Sequence, residues 1–145
     1  MKDSNGWEII HTYSTKEAVA DGFLVKVDSS ASKEAGIKFP VYLTCAVWDK
    51  YVQVPEGMEG IQNVSGRLWD ILYMFTYYAR KGGYGGLMTF KFSCSIPNTG
   101  NWEEHECLED RSNKDQRLVT LKATCHAQDF DDPSPAIFIM KPKED

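Results

Sequence analysis

The residues with the greatest chemical potential sit in two short runs, His105-Glu106-Cys107 and Cys125-His126. A set of thiolates and imidazoles is what zinc binds. Strand geometry opposes it here, because Cys125 and His126 are consecutive on a stretch with strand-like alternation, so their side chains point to opposite faces. The Cys-x-x-Cys spacing of structural zinc sites is missing as well. The plainer reading makes Cys125 a small buried hydrophobe and places the histidines in loops, and no metal or other cofactor is expected. A Cys-His nucleophilic pair would need folding to bring Cys45 or Cys94 within reach of His11, His105 or His126. No strand-turn-helix signature frames such a nucleophile.

Other polar groups suggest binding more than catalysis. Asp129, Asp131 and Asp132 lack the alternating oxygen ligands, central glycine and terminal glutamate of a calcium loop. The glycines around Tyr84 resemble a phosphate loop in glycine content alone, since no Lys-Ser/Thr follows them. Arg67 and Asp70 stand three apart on a predicted helix and, with His126, form a candidate polar cleft for a small enzyme. The plainer reading of Arg67 and Asp70 is a helix-surface ion pair worth roughly a few tenths of a kcal/mol. Residues 98–116 set Glu103, Glu104, Glu106, Glu109, Asp110 and Asp115 against Arg111 and Lys114, the pattern of a solvated loop. Trp102 in its midst could anchor a partner. Trp102, Glu103, Glu104 and Glu106 are therefore candidate partner contacts, on a loop expected to be replaceable by a short Gly-Ser linker without loss of folding.

The elements that must position these groups are legible from spacing. Ser14 and Glu17 form a capping box and Gly22 stops the helix it opens. Residues 23–27 are a short apolar run suited to a strand, and residues 30–36 carry the cap, small residues and closing glycine of another short helix. Thr44 reads as an N-cap for residues 45–52, where Val47, Trp48, Tyr51 and Val52 fall at helical spacing. The strongest helix covers residues 65–80, with Leu68, Ile71, Leu72, Phe75 and Ala79 on one face and a narrow polar stripe of Arg67, Asp70, Tyr77 and Lys81. So apolar a helix is expected to be central and packed on more than one side.

The period then changes to two. Met88, Phe90, Phe92, Cys94 and Ile96 alternate with polar residues, as do Val119, Leu121, Ala123 and Cys125 with their neighbours. Residues 136–140 are continuously apolar between prolines and read as a terminal strand. The expectation is an α+β domain, with N-terminal helices and one long core helix packed on a C-terminal antiparallel sheet of about three strands. With 145 residues, 42% of them hydrophobic, the chain suits a single domain over 1–145 that folds without staples.

A set of segments in fixed order carries a resemblance. It comprises Ala18-Val19-Ala20-Asp21-Gly22-Phe23-Leu24-Val25, then Phe39-Pro40-Val41-Tyr42-Leu43-Thr44 leading to Val47-Trp48, then Gly66-Arg67-Leu68-Trp69-Asp70-Ile71-Leu72. It ends with Arg117-Leu118-Val119-Thr120-Leu121-Lys122-Ala123 and Ile137-Phe138-Ile139-Met140. Over most of its length the chain resembles an uncharacterised family of small bacterial proteins often carried on plasmids, phages and integrated mobile elements. The resemblance implies no activity, substrate or catalytic residue. Similar proteins often have a Gly-Pro-Gly turn where this chain has His126-Ala127-Gln128, so that stretch is poor ground for a shared site.

Charge and composition narrow the function classes. A net charge of −5 disfavours direct binding to duplex DNA or anionic lipid, both of which need clustered Lys and Arg. No apolar run approaches the roughly 20 residues of a membrane span, and four dispersed cysteines without an apolar leader suggest a reducing, cytoplasmic setting. The leading expectation is a binding or regulatory protein with a protein partner, which the mobile-element resemblance would place in a host. The competing one is a small enzyme whose dispersed polar groups converge on folding.

Overall fold

The computed structural model describes residues 14–82 and 87–144. Helix α1, Thr15–Ala20, opens on the capping box, with Ser14 Oγ accepting from the Glu17 amide and the Glu17 carboxylate accepting from the Ser14 amide. Strand β1, Leu24–Lys26, leads to helix α2, Ser29–Glu34, capped by Asp28. Gly22 and Gly36 close the two helices at φ 84° and 86°, a region that costs glycine little and other residues much. Strand β2, Val41–Thr44, passes directly into a helical turn, α3, Cys45–Val47, capped by Thr44 as its sequence suggests.

From Trp48 to Val52 the helix widens into a π turn. Such turns change which side chains face inward, and they cluster at functional positions. The long helix α4, Val64–Arg80, is capped by Asn63. The remaining strands are β3, Leu87–Ser95; β4, Glu106–Asp110; β5, Asn113–Asp129; and β6, Asp132–Met140.

The α+β class holds, but the sheet is mixed and six-stranded rather than antiparallel and three-stranded. Its order is β1-β2-β6-β5-β3, with β4 also on β5. Every pairing is antiparallel except β2 with β6. Strand β6 is therefore not terminal in the sheet; it sits between β2 and β5, which explains its unbroken apolar run, since both of its faces are covered. Its Pro135 is tolerated because Ile137, two residues on, sends its N–H away from β5 to the Pro40 carbonyl. The proline thus has its missing N–H on that side, ahead of the first β2 pairing at Ile137.

The main core lies between α4 and one sheet face. Leu68, Ile71, Leu72 and Phe75 meet Phe90, Phe92, Val119, Leu121, Ile137 and Ile139 there. A smaller apolar cluster of Tyr42, Ala136, Phe138 and Met140 occupies the other face. Helix α1 is tied to the sheet by Asp129, whose carboxylate accepts from the Thr15 and Lys16 amides at 3.3 Å each. No helix among the described residues is long and apolar enough to cross a membrane.

Candidate functional site

The acidic run between β3 and β5 is built structure rather than a solvated loop. Glu106 begins β4 and turns its carboxylate inward, where it is fully buried against Arg117 of β5, 2.7 Å away and equally buried. Lys50 reaches the same carboxylate at 2.8 Å, and the Tyr51 hydroxyl donates to it. The π turn puts Lys50 and Tyr51 there together. Burial alone would raise the Glu106 carboxyl, but hydrogen bonds from Lys50, Tyr51, Arg117 and the Glu103 amide outweigh it and hold the group at about 2. The Tyr51 hydroxyl is pushed well above its usual range, by burial first and then by Glu106.

The other members of the run close over this pair. Glu103 bridges Lys50 at 2.6 Å and Lys141 at 3.0 Å. His105 Nε2 lies 2.6 Å from the Tyr51 hydroxyl, and burial lowers its basicity. The half-buried Trp102 ring covers the Arg117 guanidinium at 4.0 Å, while its indole N–H donates to Asn98. Among the described residues Glu103, His105 and Glu106 bring possible ligand atoms within 4.8 Å of one another. The cation they share is already supplied, as the Lys50 ammonium contacts both carboxylates. Glu104 alone of the four predicted contacts is fully outward, paired with Lys143.

The predicted ion pair of Arg67 and Asp70 does not form. Arg67 is 3% exposed and, far from lining a surface stripe, donates to the Ser95 carbonyl at 2.9 Å, the Lys50 carbonyl at 3.4 Å and Cys94 Sγ at 3.3 Å. It fastens α4 to both β3 and the π turn. Asp70 stays outward and makes no ion pair among the described residues; its carboxyl is raised by partial burial, an effect that nearby Arg67 partly offsets. Both line a cleft of about 540 Å³ between α4 and β3, with Tyr73, Met74, Tyr78 and residues 91–95.

His126 is not in that cleft. It stacks on Phe138, ring centroids 4.2 Å apart, across the opposite sheet face, within β5 rather than in a turn. Cys125 is exposed, not buried, and lines a recess beside α4 with Phe75 and Ala79. The residues weighed as a zinc set are thus divided between the two ends of β5. All four cysteines are free. His11 and the glycines at 83, 85 and 86 lie outside the described residues.

Sequence reasoning missed the surface that α4 leaves uncovered. Trp69, Tyr73 and Tyr77, four apart, are 38%, 52% and 43% exposed, and the first two rings pack 6.0 Å apart. The helix is packed on one side, not on several. The spacing was readable, but a 3.6-residue period cannot say whether a second apolar face meets protein or water.

Together these features define an α+β domain braced by a buried ion network, with an open aromatic helix face beside a cleft. The chain belongs to a family of unknown function, DUF6573, whose model matches residues 2–145. No curated protein matches the chain. No solved structure matches it either.

Proposed function

We propose that this chain is a protein-binding or regulatory module that captures its partner on the outward face of α4 and in the adjoining cleft. The observation that carries this reading is the exposed row of Trp69, Tyr73 and Tyr77. Large aromatics with a polar tip are what central interface positions favour, and a soluble surface otherwise keeps few of them in one row. Asp70, beside the row and free of an ion pair among the described residues, together with the net charge of −5, favours a partner with a basic patch. The resemblance to proteins of plasmids, phages and integrated elements favours a bacterial host protein as that partner. Contact through Trp102, Glu103 and Glu106 is the weaker alternative, since these side chains are spent on Arg117, Lys50 and Lys141.

The test compares the unaltered chain with a Trp69→Ala/Tyr73→Ala variant in affinity capture from host lysate, followed by titration of the recovered protein. Truncating two central aromatics should cost about 2 kcal/mol or more, roughly a thirtyfold loss of affinity. The cooperative melt should persist, because both rings are part-exposed and neither belongs to the buried core. Unchanged capture would sink the proposal.

A further inference from the structure

The cleft beside α4 has an unusual lining: residues 91–95 of β3 contribute in unbroken succession. Alternate residues of a strand face opposite sides, so a cavity lying on one face would take every second residue. A cavity that takes five in a row lies alongside the strand's edge. Among the described residues β3 has one partner strand, β5, with continuous register from Leu87↔Thr124 to Ser95↔Gln116. Among the described residues no strand pairs with its other edge.

The direction of the backbone groups along that edge follows from one bond. Ile96 donates its N–H to the Asp115 carbonyl at 2.8 Å, so the even-numbered residues of β3 turn their backbone groups toward β5. The odd-numbered ones, Leu87, Thr89, Lys91 and Ser93, turn N–H and C=O outward. Ser95 agrees, since its carbonyl is taken by Arg67 of α4, which ends the free edge at Ser93. Of the usual guards against pairing the edge has neither proline nor bulge, and its one charge, Lys91, is the single guard it carries.

We infer that the free edge of β3 receives an extended segment of the partner protein as an added strand, with its side chains entering the cleft under α4. This rests on the protein-binding reading above and specifies its mode. Backbone bonds from Thr89, Lys91 and Ser93 supply affinity and register, and the cleft selects the side chains. On the α4 side an apolar residue enters between Tyr73, Met74 and Tyr78, and a Lys or Arg two positions away, on the same side of the segment, meets Asp70. The recognised chemistry is therefore an extended peptide with an apolar and a basic residue at alternate positions.

The probe is a displayed library of random peptides about ten residues long, the upper range of a strand, selected on the intact protein. Selected peptides should share the alternation of apolar with Lys or Arg, and should slow amide hydrogen exchange at Thr89, Lys91 and Ser93. Lys91→Pro removes one outward N–H while leaving the β5 ladder whole, and should weaken binding about tenfold or more, whereas Lys91→Ala should not. A second arm needs no altered protein: N-methylation of the peptide at every other residue should weaken binding in one phase and not in the other. Failure to select any binder would overturn the inference. Binding indifferent to Lys91→Pro and to both methylation phases would overturn the added strand alone, leaving the α4 reading in place if Trp69→Ala/Tyr73→Ala still weakens it; indifference to all of them would overturn both. Protection of the same amides in a peptide-free dimer would make the occupant a second copy and overturn the inference too.

Discussion

Glu106 owes its ionisation to four donors, Lys50, Tyr51, Arg117 and the Glu103 amide, around a carboxylate with no exposed side-chain surface. Replacing it by Gln leaves Arg117 buried without its counter-charge, a change expected to cost about 3–5 kcal/mol in urea melts near neutral pH. The sign of its pH dependence follows from the lowered pKa. A carboxyl held at about 2, against the usual 4.5, contributes stability that is fully present above 4.5 and is lost as pH falls toward 2. Glu106→Gln should therefore show a shallower loss over that window than the unaltered chain, and equal slopes would show that the network does not govern acid stability. None of this was readable from residue types. Six acidic residues against two basic ones in 98–116 suggested solvent, because the balancing cations lie outside that run, Lys50 and Lys141 far from it in sequence and Arg117 just past its end.

Helix α4 was legible in one half and opaque in the other. The spacing of Leu68, Ile71, Leu72 and Phe75 placed the core face correctly, and Leu72 is fully buried. Leu72→Ala should destabilise by roughly 2–5 kcal/mol through lost burial and a residual cavity; a near-neutral melt would contradict that packing. The opaque half concerns partners rather than periodicity. Arg67 sits where a helical wheel puts a surface charge, yet two carbonyls and a thiol from other elements draw it inside. The π turn was equally hidden, since residues 45–52 carry an ordinary helical pattern and only the tertiary position of Lys50 and Tyr51 distinguishes it. The strands were the clearest elements. Alternation found β3 and the buried part of β5, but β4, written as Glu106-Cys107-Leu108-Glu109-Asp110, has too little apolar rhythm to be seen apart from its partner.

Across the whole molecule, the segment expected to be a replaceable loop is a structural member. Residues 98–116 supply Glu106, all of β4 and the first part of β5, so exchanging them for a Gly-Ser linker should abolish the cooperative melt. A linker variant that melts normally would show that the network is ornamental. The count and order of strands were not readable because they depend on where β6 inserts, and nothing local to residues 132–140 names its neighbours. That insertion has a kinetic consequence. The β1-β2 pair and the β3-β5 ladder are joined, among the described residues, only through β6, so during synthesis two unfinished half-sheets must coexist until it emerges, with β2 held open across almost a hundred intervening residues. Closing so long a loop for a parallel pairing is slow, and the waiting edges of β2 and β5 are the surfaces on which a nascent chain of this kind is most exposed to capture by chaperones or by its own neighbours.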